Sequence, residues 1–483
     1  MRSGLLLTLA LGCTFLSTSH VVAAGDPGDG SLAARYKADA RRIIDAVMAG
    51  NDAYNKLETL CIEIGHRLSG SPQLERAVEW AVAAMKKDGQ QNVRAERVMV
   101  PHWVRGSESA TMISPRRESL EMLGLGRSIG TPPEGITAPV VVVKDKEHLA
   151  RIGKAAAGKI VLFNFPMPPY DPERGAGYGQ TVFYRTNGAS LAAAQGAVAA
   201  LVRSVTAKSL HTAHTGAMRY DPEIPKIPTA AVSIEDAETI ARMTKRGIEV
   251  VVNLKMEAKT LPDAPSANVI GELRGRTHPE EIVVIGGHLD SWDVGHGAHD
   301  DGGGCVIAME AINVLRKLNM IPRRTIRVVL FTNEENGLAG GKAYAADHAG
   351  EMKNHVAAIE SDSGIFQPRG YSLECENDAY EKVALDQLSD IVRLLSPLGP
   401  MDAKLGGSGA DIGPMKPEGV VLLGHRVEGS TYFDYHHTAA DTIDKIDPVL
   451  LSKNVAAIAT VAYILADMPD RIGTPPTPDA SSH

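Results

Sequence analysis

A chain of 483 residues is longer than one hydrophobic core usually organises, so two domains are expected. Hydrophobic residues make up 44% and charged residues 22%, a globular balance that excludes a disordered or fibrous chain. Lys and Arg number 50 against 58 Asp and Glu, a formal charge of −8 without blocks, and aromatics are 5%; a nucleic-acid-binding surface is not expected.

The chain opens with Met1-Arg2, an apolar run from Leu5 to Leu11, and Val22-Ala23-Ala24 before Gly25. This reads as a secretory signal peptide over 1–24, cleaved after Ala24, whose apolar run is too short to span a bilayer. No other stretch approaches the about 20 apolar residues of a membrane helix, so no transmembrane segment is expected. Cys13 invites a lipid anchor, but Ala10 and Leu11 fit a lipobox poorly. Cleavage leaves Cys61, Cys305 and Cys375, too few for a disulfide scaffold. A secreted or periplasmic protein is the expectation.

Apolar spacing predicts helices over 33–48, 57–64 and 73–87, the N-terminal helical part (25–98) of a catalytic domain, with removal of a propeptide at 25–44 left open. From 99 to 265 short β-rich runs (139–143, 159–164, 197–202, 228–232, 248–254) alternate with helices, and Gly and Pro interrupt often. We read this stretch as an inserted α/β module with a small sandwich-like sheet. From 266 to 470 strands at 281–286, 325–332, 356–360 and 420–423 alternate with helices at 304–318, 338–349, 380–395 and 452–465. That alternation predicts an α/β fold with a mixed, mainly parallel sheet flanked by helices. Residues 471–483, rich in proline, are expected to be a disordered tail.

In such a sheet ligands bind beyond the carboxyl ends of the strands. The first of these strands is followed by His288, Asp290, Asp300 and Asp301, the second by Glu334-Glu335, the third by Asp362, and the fourth by His436-His437 and Asp441. A lone acidic pair is usually a solvated turn; four strand ends that all deliver acid or imidazole point to zinc or a close relative. The count suits two zinc ions about 3.5–4 Å apart. His288, Asp362 and a shared Asp300 would hold one, and Glu335, His437 and the same Asp300 the other. Asp290 would take the second ring proton of His288, and Glu334 would remain free as general base.

The segments Gly-Gly-His-Leu-Asp-Ser-Trp-Asp at 286–293, Asp-Asp-Gly-Gly-Gly at 300–304, Glu334-Glu335, Glu-Ser-Asp at 360–362 and His-His-Thr at 436–438 resemble the co-catalytic zinc aminopeptidase and carboxypeptidase superfamily. The similarity covers about 40–470 and includes His102-Trp103, the run from Leu123 to Ala138, and Pro225 to Thr229. It implies a phosphorylase/hydrolase-like catalytic domain, a protease-associated insert at about 99–265, a homodimer, and hydrolysis of dipeptides or short peptides with free ends. It also implies the ligand set His288, Asp300, Glu335, Asp362 and His437, a hydroxide bridging two zinc ions, Glu334 as base, and a cis peptide at Asp300-Asp301. His436 stands where several members place an oxyanion-stabilising tyrosine; it takes that role or a packing one. Three other readings stay open: an ordinary aminopeptidase, a one-zinc cyclase or amidase, and a non-catalytic binding protein. His296, His299 and the His211/His214 pair are read as structural. Ser408 or Asp411, in the Gly-rich loop 406–411, is read as touching a peptide terminus.

Overall fold

The computed structural model describes residues 31–475. The expected signal peptide, with Cys13, and the chain end at 476–483 lie outside the described residues. Two eight-stranded sheets organise the rest.

The larger core surrounds a sheet in the order Gln91–Val104, Lys259–Leu273, Arg324–Phe331, His278–His288, His355–Glu360, Val421–Val427, Pro368–Glu374, Asp402–Leu405. Its four central strands are parallel, and antiparallel neighbours flank them on both sides. The central strands are continuous apolar runs, as a sheet covered on both faces requires. Alternate residues face opposite ways: Val283, Ile285, Val328 and Ile359 enter the main core. Val284, Val329, Phe331 and Ala358 enter a smaller one under Tyr344 and Met415. The main core is closed by Leu32–Ala49, Gly303–Lys317 and Pro448–Asp467.

Ser31 caps the first of these helices, whose Tyr36, Ile43, Ile44 and Val47 are buried. The stretch weighed as a propeptide thus holds core residues. Asp447 and Pro448 start the last helix. Among the described residues it alone is long and apolar enough to cross a membrane, and 78% of its apolar window is buried. The sequence reading placed no second stretch near that length; this helix reaches it because it is enclosed on all sides.

Lys259–Leu273 pairs with Gln91–Val104 from Gln91↔Glu272 to Val104↔Lys259. The texture changes noted at 99 and 265 therefore fall inside one long ribbon. At its far end residues 259–263 are exposed, and the ribbon holds Pro101, Pro262 and Pro265, which hid the strand pattern. Between the ribbon's two strands the chain builds the second sheet, in the order 118–120, 108–114, 251–256, 136–143, 160–163, 199–203, 229–232, 122–124. Helices Tyr178–Ala194 and Ile234–Lys245 pack on it. Trp103 and Trp292 meet edge to face, with ring centroids 6.5 Å apart, where it joins the larger sheet.

At the C-terminus the expected tail begins as packed chain. Ile472 is buried, and Arg471 pairs with Glu281 at 2.8 Å. Cys61, Cys305 and Cys375 are free and buried.

Candidate metal centre

Each parallel strand ends in the same region. His288 closes His278–His288, and Asp362 lies two residues past His355–Glu360. Asp300 precedes helix Gly303–Lys317, where Gly304 is forced by close approach: a Cβ there would sit 1.9 Å from the Ser361 carbonyl oxygen. Glu334-Glu335 lie between Asn333 and Leu338, both in the left-handed region at φ 65° and 60°, and His437 has φ 61°. Backbone held in that region by β-carbon residues is strained and collects at functional sites. The Asp300-Asp301 peptide is cis.

The two Asp300 oxygens face opposite ways. Oδ1 is 3.2 Å from His288 Nε2, which also lies 3.6 Å from Asp362 Oδ1. Oδ2 is 3.3 Å from His437 Nε2, which lies 3.0 Å from Glu335 Oε2. The five side chains named as ligands thus form two groups that meet at Asp300. Asp300 Oδ2, Glu335 Oε1 and Asp362 Oδ1 are buried without a hydrogen-bond partner. Unpaired buried carboxylate oxygens facing imidazole nitrogens are the donor set that a divalent cation satisfies. Groupings with His436 or Asp301 also bring donor atoms within 4.8 Å of one another. Asp301 is already engaged, however: its two oxygens accept the His288 and Gly304 amides, each at 3.0 Å.

Surrounding contacts fix this arrangement. His288 Nδ1 lies 2.9 Å from the main-chain oxygen of Asp290 and 3.8 Å from its carboxylate. The ring proton therefore goes to the carbonyl, where the sequence reading gave it to the carboxylate. The Asp290 carboxylate instead accepts the Glu334 and Glu335 amides, at 3.0 and 3.3 Å. Its role is to position those two glutamates. Asp441 does the same for the bridging segment, accepting the His299 and Asp300 amides at 2.8 and 3.1 Å. Arg67, fully buried, donates to the carbonyls of Leu289, His296 and Gly297. Asp441 and Arg67 act through backbone groups, which residue type does not announce.

Burial and crowding perturb the titration of these groups. Burial pushes the Glu334 carboxyl up to about 8, against the pull of His288 and with help from Asp362. Burial also raises Glu335, with the Asp300 charge adding to it. Burial alone would raise Asp300, but the His288 and His437 imidazoles beside its two oxygens hold it below the usual carboxylate range. Burial lowers His436 to about 4, leaving the imidazole neutral.

A cavity of about 1210 Å³ opens over the site. Glu334, Asp362 and His436 line one wall, and Tyr178 and Arg185 from the second sheet's helix line the other. The His436 and His437 rings stack with centroids 3.5 Å apart. Thr215 donates its amide to the His437 carbonyl at 3.0 Å, tying the second sheet to the site. The histidines set aside as structural belong to none of the donor groups. His299 stacks on Phe366 and Tyr435; His211 is exposed while His214 is buried. Ser408 bonds to Glu374 at 2.8 Å and Asp411 is fully buried; neither lines the cavity, so the loop 406–411 does not present them to a peptide. Sequence reasoning missed Tyr178 and Arg185; the signal was a tyrosine and an arginine seven residues apart in a helix of small residues.

Parallel strands that deliver acids and imidazoles to one cavity define a metal-dependent hydrolase in outline. The peptidase family M28 model matches residues 268–462. The Mus musculus protein carboxypeptidase Q is 41% identical over 442 residues, 91% of each chain. The crystal structure of a peptidase M28 precursor from Shewanella amazonensis superposes with a TM-score of 0.86 at 37% identity, covering 92% of this chain and 100% of that one. A zinc aminopeptidase from Bacillus subtilis shares the fold, with a TM-score of 0.63 at 20% identity over 87% of this chain and 96% of its own. The chain belongs to peptidase family M28. Within it, the similarity to carboxypeptidase Q runs nearly from end to end.

Proposed function

We propose that this protein is a secreted or periplasmic exopeptidase with two zinc ions, hydrolysing dipeptides or short peptides with free termini. The observation that carries this reading is Asp300, whose two oxygens face His288 and Asp362 on one side and Glu335 and His437 on the other. Likeness to carboxypeptidase Q and to a zinc aminopeptidase supports it. The second sheet, hung on its ribbon, fits the protease-associated insert expected at about 99–265, and a homodimer is part of the same reading. Two zinc ions held by these five residues would supply Lewis-acid polarisation of the scissile carbonyl and of water.

The chain's own residues do the rest. The Glu334 carboxylate takes a proton from the attacking water and delivers it to the leaving amine nitrogen. Asp290 holds the main chain of Glu334 and Glu335 so that one is free for this transfer while the other remains a ligand. His436, neutral and on the cavity wall, donates a hydrogen bond to the carbonyl oxygen as it gains charge.

The test is zinc content per chain on dialysed protein, coupled to turnover of unblocked dipeptides, N-blocked dipeptides and aminoacyl amides. Close to two zinc ions with cleavage of unblocked dipeptides is expected. Good cleavage of aminoacyl amides would instead make it an aminopeptidase. One zinc without peptide cleavage would break the bridged-site reading.

A further inference from the structure

One arginine between the ribbon's two strands reaches across to the turn that carries Glu334 and Glu335. Arg127 lies in the turn 125–128, closed by the Ser128 amide donating to the Leu125 carbonyl at 3.0 Å. Leu125 and Gly126 donate their amides to the Thr229 and Gly216 carbonyls, each at 3.0 Å, and the Trp103 indole donates to the Ser128 carbonyl at 2.9 Å. Gly126 lies against the Trp292 ring, where a Cβ would sit 2.0 Å from the nearest ring carbon. The turn is therefore fixed from both sheets. Glycine stands where close approach demands it, but the left-handed position, at φ 72°, is held by Arg127. A residue with a β-carbon persists in that costly region only where its surroundings over-determine it, and such positions collect at functional sites.

Arg127 is half-buried, and its Nη2 donates to the Asn336 carbonyl. Burial and then the charge of Arg219 lower its pKa, and Asp263 offsets them only in part. The turn it grips is held elsewhere by its amides. Asp290 takes those of Glu334 and Glu335, while Asn333, which donates to Ser69 at 2.8 Å, takes that of Ala339 at 3.2 Å. Gly337 packs beneath the contact: a Cβ there would sit 2.3 Å from Asn333 Oδ1 and 3.3 Å from Arg127 Nη2. Arg127 is thus the hold on this turn that comes from the chain between the ribbon's strands, and it does not line the cavity.

We propose that Arg127 is a positioning residue: by fixing the Asn336 carbonyl it sets the Glu334-Glu335 turn, so that the inserted chain governs proton transfer by Glu334 and metal retention by Glu335. The proposal rests on the peptidase reading above and adds to it a residue remote from the reacting atoms. Two carboxylates on adjacent residues have different tasks here, and a small rotation of their shared turn misplaces both. Rates fall steeply when a reacting group moves by a fraction of its working distance. Partners that orient metal-binding residues act in the same indirect way.

The experiment compares wild type with Arg127→Gly, which suits the left-handed position and removes the side chain, and with Arg127→Lys. Dipeptide turnover gives kcat and KM, and chelator competition in zinc buffers gives the affinity of each ion. Arg127→Gly should lower kcat about 10- to 100-fold, leave KM within about threefold, and weaken one zinc ion about tenfold. Arg127→Lys, which still offers a donor to the carbonyl, should recover part of both losses. Combined with Glu334→Gln, Arg127→Gly should change the residual kcat by less than about threefold, because the group it positions is gone. An equal fold loss in both backgrounds, a change in KM alone, or no recovery by lysine would overturn the proposal. Zinc affinity needs no turnover, so the two readings fail separately. Two ions without peptide cleavage in wild type would break the peptidase reading, whereas unchanged zinc affinity in Arg127→Gly would break this one.

Discussion

In the second sheet, the parallel strands Ile160–Phe163, Ala199–Arg203 and Thr229–Val232 run into Asn164, Ser204 and Ser233. Each finds a neutralising or capping partner: Asn164 accepts from Arg203 at 3.0 Å, Ser204 Oγ donates to the Val232 carbonyl at 2.8 Å, and Ser233 caps the helix that follows. The catalytic sheet's parallel strands run into His288, Asp362 and the Glu334-Glu335 turn, where carboxylate oxygens stay buried and unpaired. Two sheets of like construction thus treat polar groups at their strand ends in opposite ways. Satisfied groups finish a fold, whereas orphaned ones at a convergent edge mark the place where something else must bind.

Removing the shared carboxylate tests that contrast most severely. Asp300→Ala should lose both metal ions and all measurable turnover, and metal analysis after dialysis checks it; normal stoichiometry would contradict the shared-ligand arrangement. Glu334→Gln should bind metal as wild type does while kcat falls about 10²- to 10⁴-fold, the usual worth of a general base. On the satisfied side, Leu162 is fully buried in the second sheet's core. Leu162→Ala should cost about 2–5 kcal/mol in denaturant unfolding and leave zinc content of the folded protein unchanged.

The smallest effect concerns pH. His348 lies 2.9 Å from Glu96 and 2.6 Å from Glu351. Burial would lower its pKa, but the hydrogen bond and charge of Glu96 raise it above the ordinary histidine value. Its contribution is complete below the unfolded value of about 6.5 and fades as pH rises through the higher folded one. On the acid side Glu96, whose pKa is lowered despite partial burial, sets the limit by giving up the contact as it protonates. His348→Gln should cost a few tenths of a kcal/mol at about pH 6 and nothing well above the folded pKa. Urea unfolding across that range would show it; a loss independent of pH would assign the effect to packing.

What could be read in the sequence follows from how each residue acts. The strand ends announce themselves because acids and imidazoles recur after apolar runs, and Glu334 stands out as the acid left over. Asp290 was found but its task was not, since a backbone carbonyl two atoms from the expected carboxylate looks the same in a sequence. Arg67 works by holding main-chain groups of segments far along the chain, so no local pattern marks it; Asp441 was seen at its strand end, but not its hold on the His299 and Asp300 amides. Strand Pro368–Glu374 and the edge strand Asp402–Leu405 went unread: the short Asp402–Leu405 is largely exposed, and Pro368–Glu374 opens with Pro-Arg-Gly. The helix over 73–87 was plain from its apolar spacing.

The ribbon of Gln91–Val104 with Lys259–Leu273 has one further consequence. Because Val104 and Lys259 are held side by side, the chain leaves the catalytic sheet and returns to it at a single point. The entropy of closing such an excursion grows only slowly with its length. The catalytic sheet would therefore be nearly indifferent to how large the excursion between residues 104 and 259 becomes. Such an arrangement behaves like a socket: the hydrolytic edge stays constant, and whatever is plugged into the ribbon forms the facing wall of the cavity.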